Sequence, residues 1–385
     1  MRILFTGGVT GGHIYPIISV AEHIKRSDPQ AQMYYVGVPG QYQQLLASRD
    51  ISVNRILSAK MRKGDLLRNI IDVPFLFAAI IQALWKIFWI MPDVLFSKGG
   101  PGALPVVLAC AFYRIPIVIH ESDSVAGLTS LASARFAKRI GIAYATAEES
   151  FVAGISSESK RQAVDAKIAL IGNPIRDFFF SASTPDTETA KRLLDFDSAK
   201  PLLLVIGGSQ GAARINEFFL SIAEELLNRN IQVLHQTGFN TASTAQGQLA
   251  TILQKYSKTF QNAYRLTPYF TENIKDAYCA ADIVISRAGS GSIFEIAAMG
   301  RPAILIPLPE SISRDQVKNA FEYASTGAAI TIEETNLTPN IFFTQLDKLL
   351  ADVSARAAMS AAAKAFARPD AAKMLAQEIL RLGAR

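Results

Sequence analysis

Short, almost wholly apolar runs recur along the chain and alternate with longer stretches in which apolar residues return every three or four positions. The runs span residues 3–5, 33–36, 94–97, 115–119, 202–206, 232–236, 283–286 and 303–306. Apolar-rich runs of this length predict strands buried on both faces, the kind found in parallel sheets. The longer stretches predict helices that cover those faces. An α/β fold is expected from end to end.

The pattern opens on a strand, a glycine turn and a helix. Ile3, Leu4 and Phe5 lead into Gly7, Gly8, Gly11 and Gly12, and helical spacing resumes at Ile14. The same device returns about half a chain later, where residues 202–206 lead into Gly207, Gly208 and Gly211. Two tandem doubly wound parallel-sheet domains, facing across a cleft, account for the repetition. The turn Gly172-Asn173-Pro174 marks the boundary. The expected division is 1–174 and 175–354, with a helical, alanine-rich 355–385 packing back on the first domain.

Residues 75–91 are the exception to the alternation. They are apolar around the whole helix, with only Gln82 and Lys86 inside, and include Trp85, Phe88 and Trp89. One reading is a helix buried against the sheet. Another is a helix lying at an anionic membrane surface, with Arg62, Lys63 and Arg68 just upstream. A membrane span is at its lower length limit here and would interrupt the α/β pattern.

Composition narrows the function. The 385 residues are too many for one ordinary core, and with half of them hydrophobic and 19% charged the chain is globular. A net charge of +6 favours anionic partners. The basic residues are scattered and do not alternate with aromatics, so nucleic acid is not an expected partner. Cys110 and Cys279 have no metal spacing and suit a reducing compartment. The first apolar run is too short for a secretory signal core.

Ligands of open parallel sheets bind beyond the C-terminal ends of the strands. Five such ends carry unusual residues. In the first, His13 either satisfies polar groups at the helix start or faces the loop N–H groups, where it positions a hydroxyl or phosphate or acts as a base. The second is the glycine turn Gly99-Gly100-Pro101-Gly102. The third is His120-Glu121-Ser122-Asp123. A carboxylate there takes a proton or holds a sugar hydroxyl; alternatively, Ser122 or Asp123 caps the next helix. The fourth is Gly207-Gly208-Ser209-Gln210-Gly211, which is neither a dinucleotide fingerprint nor a P-loop. Arg176 adds a guanidinium suited to a diphosphate. The fifth is Ser286 to Glu295, in which Glu295 either accepts from a ribose diol or closes a capping box. Asp315 and Gln316 follow, side chains suited to reading sugar hydroxyls.

Together these stretches resemble, over essentially the whole chain, the two-domain GT-B glycosyltransferases. Within them they resemble the MurG family of peptidoglycan N-acetylglucosaminyltransferases. The resemblance rests on Gly7 to Pro16, His120-Glu121 with residues 126–129, residues 172–176, residues 207–212, and residues 286–289 through Glu295. It implies an inverting transfer of GlcNAc from UDP-GlcNAc to the MurNAc 4-hydroxyl of lipid I, giving lipid II, at the cytoplasmic face of the bacterial membrane by peripheral contact through residues 62–91.

The resemblance also implies roles. Arg176, Ser209 and Gln210 hold the UDP diphosphate, Phe270 and Thr271 meet uracil, and Glu295 holds the ribose. Ser290, Gly291 and Ser292 line the diphosphate and sugar, and Asp315 and Gln316 read GlcNAc hydroxyls. Thr10, Gly11, Gly12, His13, Gly99 and Gly100 receive the acceptor diphosphate. His13, ahead of Glu121 and Asp123, is the expected base. No metal or other cofactor is implied. The chain departs from the family pattern at Pro101-Gly102, at Ser122-Asp123 (where Gln-Asn is usual) and at Asp315. These departures keep open another GT-B UDP-sugar transferase, and a UDP-GlcNAc 2-epimerase-like isomerase shares the architecture.

Overall fold

The computed structural model describes residues 1–57, 66–181, 184–208, 211–254, 256–270, 273–313 and 315–384, with backbone alone at 66–72 and 258–260. The chain forms two units, Met1–Arg176 with Arg368–Arg385, and Asp177–Ala367.

The first unit holds a seven-stranded sheet: β1 Arg2–Thr6, β2 Gln32–Gly37, β3 Ile51–Arg55, β4 Val94–Ser97, β5 Ile117–Glu121, β6 Arg139–Ile142 and β7 Ile168–Leu170. Their order is β3-β2-β1-β4-β5-β6-β7 and every pairing is parallel. The second unit holds β8 Leu202–Ile206, β9 Gln232–Gln236, β10 Tyr264–Thr267, β11 Ile283–Ser286, β12 Ala303–Leu305 and β13 Ala329–Thr331. Their order, β10-β9-β8-β11-β12-β13, is also all parallel. Apart from the extra edge strand β7, the two sheets share one topology, as the repeated glycine device implies. Strand order reverses between β1 and β4 in one sheet and between β8 and β11 in the other. Those are the switch points where a crevice opens at the strand ends.

The central strands are sealed on both faces: every residue of β4, β5, β8, β9 and β11 is buried. This is why most of them read as apolar runs; β5 and β9 also bury polar residues, His120 and Glu121 in one and Gln232, His235 and Gln236 in the other. In the first unit, Ile3, Phe5, Ile14, Ile17 and Phe96 share a core with Leu375 and Ile379 of the last helix, Ala371–Gly383.

The C-terminal segment differs from expectation. Residues 355–385 do not form one helix on the first unit. Helix Val353–Phe366 packs on the second, where the Phe366 ring meets Phe294 and Tyr323 at centroid distances of 5.1 and 5.0 Å. Pro369 separates the two helices, because a proline disfavours helical backbone in the residue before it. Only Ala371–Gly383 returns to the first unit, onto helix Gly11–Ser27 and β4.

Helix Leu66–Ile90 buries a narrow stripe, Ala79, Ala83 and Ile87, four residues apart. The opposite stripe, Phe77, Ile81, Trp85 and Trp89, also four apart, is 63–67% exposed. The window Val73–Ile90 is long and apolar enough to cross a membrane, and only 17% of it is buried in the fold. The reading as a helix buried against the sheet is thereby corrected. Arg62 and Lys63 lie outside the described residues, and of Arg68 only the backbone is described.

Candidate active site

In the first unit the parallel register sets Thr6 beside Ser97. The glycine turns after β1 and β4 therefore leave the sheet side by side. Tyr35, buried, braces the first turn by donating to the Gly7 carbonyl at 2.8 Å. Thr10 enters helix Gly11–Ser27 with extended backbone, and its carbonyl accepts from the N–H groups of His13 (3.0 Å) and Ile14 (3.2 Å). Helix geometry leaves the N–H groups of Gly11 and Gly12 directed out of the helix start, which suits an anion.

His13 stands in the same turn, and its Nδ1 shares a hydrogen bond with Thr10 Oγ1 at 2.9 Å. Glycine backbone encloses the ring. A Cβ on Gly8 would lie 2.9 Å from Nδ1, and one on Gly100, whose φ of +83° already favours glycine, would lie 2.8 Å from Nε2. Desolvation, with the nearby Lys98 charge, pushes the His13 pKa down to about 3. The imidazole is therefore neutral at neutral pH, and it takes up a proton less readily than an ordinary histidine. Thr10, Gly11, Gly12, His13, Gly99 and Gly100 are thus brought together at the β1–β4 switch point.

Lys98 is a site residue that sequence reasoning missed. It is 3% exposed, and its ammonium donates to Ser122 Oγ on the loop after β5. Burial lowers its pKa to about 8, against the opposing pull of Glu121 and Asp123. A buried cation is costly without counter-charges, and these two carboxylates supply them. The available signal was a charged residue directly at the end of an apolar strand.

Glu121 is engaged by its own loop. Oε1 accepts from the Ser122 and Asp123 N–H groups at 2.8 and 3.2 Å, and Oε2 from Gly127 N–H at 3.0 Å. Gly127, not Ser122 or Asp123, occupies the cap position of helix Leu128–Ala134, so the capping reading fails there. His120 is fully buried and donates from Nε2 to the Gly172 carbonyl at 2.8 Å, which ties β5 to the turn before the unit boundary. Arg176, expected among the donor-binding residues, is the last residue of the first unit, and its guanidinium lies 4.8 Å over the Tyr15 ring.

The second unit repeats the arrangement. The register sets Ile206 beside Ser286, so the turns after β8 and β11 again start together. Gly211 has φ +85°, and a Cβ there would come within 2.4 Å of the Thr237 carbonyl oxygen. Behind that turn, Asn216 donates to the Thr237 carbonyl and to Thr241 Oγ1, both at 2.9 Å. Its own Oδ1 accepts from His235 Nε2 at 3.0 Å. His235 is fully buried, and desolvation lowers its pKa to about 3. Ser209, Gln210 and Thr271 lie outside the described residues, and Phe270 is buried.

Helix Ser290–Met299 starts after Gly289, so Ser290, Gly291 and Ser292 form a first turn whose N–H groups face the strand ends. Glu295 accepts a hydrogen bond from Tyr278 OH at 3.3 Å. A capping box would need the Glu at the third helical position, which Ser292 holds, and a hydroxyl at the cap, where Gly289 has none. The capping reading of Glu295 is excluded. Arg287, buried, pairs with Glu334 and donates to the Ile306 and Pro307 carbonyls at 3.1 and 3.4 Å. This fixes the end of β12 against that of β11. Asp315 precedes helix Gln316–Ser325, and Gln316 Oε1 accepts from Leu308 N–H at 3.2 Å.

The comparisons with known proteins cover both units. The glycosyltransferase family 28 N-terminal domain matches residues 3–142, and the family 28 C-terminal domain matches residues 202–375. The UDP-N-acetylglucosamine--N-acetylmuramyl-(pentapeptide) pyrophosphoryl-undecaprenol N-acetylglucosamine transferase of Lactiplantibacillus plantarum is 33% identical over 377 residues, covering 97% of this chain and 98% of that one. The transferase of the same name from Legionella pneumophila is 33% identical over 350 residues, covering 90% and 88%. Among solved structures, MurG of Acinetobacter baumannii shares the fold with a TM-score of 0.71 over 99% of both chains, at 23% identity. Two switch-point sites, two family 28 domains and near full-length relatedness converge: the chain belongs to glycosyltransferase family 28, among the relatives of these N-acetylglucosamine transferases.

Proposed function

We propose that this chain transfers N-acetylglucosamine from UDP-GlcNAc to the 4-hydroxyl of MurNAc in lipid I, with inversion, and releases UDP and lipid II. The observation that carries the proposal is the 33% identity to a transferase of that name across 97% of the chain. The second unit binds the donor. The turn at Gly207–Gly211, with Ser209 and Gln210, and the helix start at Ser290–Ser292 hold the diphosphate and stabilise the charge that grows on it as the sugar departs. Arg176 is carried over as a further diphosphate cation from the family resemblance of residues 172–176. Phe270 and Thr271 meet uracil, Glu295 accepts from the ribose hydroxyls, and Asp315 with Gln316 reads the sugar.

The first unit binds the acceptor. Its diphosphate sits at Thr10, Gly11, Gly12, Gly99 and Gly100, and neutral His13 takes the proton of the attacking hydroxyl. Glu121 is a weaker candidate base because both its oxygens already hold backbone N–H groups. Asp123 faces the acceptor sugar. The exposed aromatic face of helix Leu66–Ile90 rests on the anionic cytoplasmic leaflet, where a lipid-linked acceptor is met.

The test is incubation with UDP-GlcNAc and a lipid I analogue, reading UDP release and product mass together. Release of a free 2-epimerised sugar without acceptor, or transfer only from another nucleotide sugar, would sink the proposal.

A further inference from the structure

Gln236 is the last residue of β9 and is 3% exposed. Since β9 lies between β8 and β10, its C-terminal end separates the glycine turn after β8 from the segment after β10. The Gln236 side chain reaches both. Its Oε1 accepts from the Phe270 N–H at 3.0 Å, and its Nε2 donates to the Gly208 carbonyl at 3.3 Å. The orientation is dictated by the partners, because an N–H only donates and a carbonyl only accepts, so a flipped amide would lose both bonds. The backbone adds a third tie: Gly207 N–H donates to the Gln236 carbonyl at 3.4 Å.

We infer that Gln236 is a positioning residue that fixes the spacing between the base and diphosphate subsites of the donor. The inference rests on the reading of the second unit as a UDP-sugar site. The two ends of a nucleoside diphosphate are covalently joined at a set span, and both subsites are engaged at once only if the protein holds them at that span. A primary amide with one donor end and one acceptor end locks the two segments from inside the sheet, with no contact to the ligand required. The signature of such a residue is specific. Its loss weakens a ligand that must fill both subsites and spares one that fills only the base subsite.

The experiment compares UDP with uridine on the full chain, by calorimetry for UDP and ligand-observed NMR for uridine. Gln236→Glu keeps an acceptor for Phe270 N–H but sets a carboxylate oxygen against the Gly208 carbonyl. The expected result is UDP affinity lower by roughly tenfold to a hundredfold, uridine affinity unchanged within about twofold, and a raised KM for UDP-GlcNAc. Gln236→Met, close in volume and lacking both contacts, reads the same UDP-to-uridine ratio if the Glu variant does not fold. Equal losses for both ligands, or no loss for either, would overturn the spacing role. A wild-type chain that does not bind UDP would overturn the donor reading itself, and this inference with it.

Discussion

Gly8 packs its backbone against the His13 imidazole so closely that a Cβ at Gly8 would lie 2.9 Å from Nδ1. Gly8 has no left-handed backbone requirement, so Gly8→Ala tests this contact and not chain strain. The methyl would displace the ring from Thr10. We expect kcat to fall at least tenfold, with UDP affinity unchanged if the donor binds in the second unit as proposed. His13→Ala should lose about 10²- to 10⁴-fold, the usual range for a missing general base. Near-normal turnover in His13→Ala at saturating substrates would remove His13 from the mechanism.

Lys98 carries a pH prediction. Its pKa is lowered to about 8, so its positive charge is present below that pH and lost as pH rises through it. If that charge supports the acceptor diphosphate, kcat/KM for the lipid acceptor declines above about pH 8 in the wild type. In Lys98→Arg, which stays protonated, the decline moves to higher pH. An identical alkaline limb in both proteins would show that the Lys98 charge is not used.

Glu295 is placed by Tyr278 OH at 3.3 Å and is not consumed by helix capping. Glu295→Gln should raise KM for UDP-GlcNAc about tenfold, the cost of weakening hydrogen bonds to a charged acceptor. 2′-Deoxy-UDP-GlcNAc should discriminate poorly between wild type and variant. A variant that still prefers the ribo donor as strongly as the wild type would disprove the ribose contact.

His235 predicts acid lability. Its pKa is about 3 in the folded protein, against about 6.5 when unfolded. Below pH 6.5 the unfolded chain takes up a proton that the folded chain refuses, so stability present above that pH is lost as pH falls towards 3. At pH 5 this single site costs about 2 kcal/mol. Urea denaturation at pH 7.5 and 5.0 should show a smaller pH difference in His235→Gln than in the wild type. Equal differences would mean that His235 does not control it.

The aromatic face of helix Leu66–Ile90 predicts membrane behaviour. Trp85→Ser with Trp89→Ser removes two side chains that are 64% and 67% exposed, so the fold should be unaffected. Sedimentation with vesicles containing phosphatidylglycerol should lose most of the bound protein, while turnover on a short-chain soluble acceptor is retained. Undiminished binding by the double variant would place the membrane contact elsewhere.

All eight strands expected from apolar runs are present, and their legibility has a physical cause. A central strand of a parallel sheet is buried on both faces, so most of these read as apolar runs, and only β9, with Gln232, His235 and Gln236, is mainly polar. The strands that escaped notice are β3, β6, β7, β10 and β13. Four of these are sheet edges, which need only one covered face, and β6 is a four-residue strand interrupted by Gly141. The site followed the same logic. Turns after central strands announced themselves through glycine, and the two switch points gathered them. Lys98 did not, because a lone lysine beside glycines looks solvated until the fold buries it against Ser122. Gln236 read as the end of a strand, since nothing in a single chain position reveals two partners 28 and 34 residues away. The break between the last two helices was written at Pro369 and was obscured by the alanine-rich helical composition on either side.

The last helix has a consequence for how the protein is made. Leu375, Ala376 and Ile379 complete the core around Ile14, Ile17 and Phe96, although hundreds of positions separate them in the chain. A growing polypeptide that has emerged only as far as Arg176 lacks that covering and displays an apolar groove. The second unit, Asp177–Ala367, is contiguous and has all its own parts earlier. The expectation is that during synthesis the amino-terminal unit completes its core only after the last helix has emerged, when the second unit is already fully translated. Loss of the final fifteen or so residues by a premature stop would uncover the core of the amino-terminal unit and open it to aggregation and proteolysis.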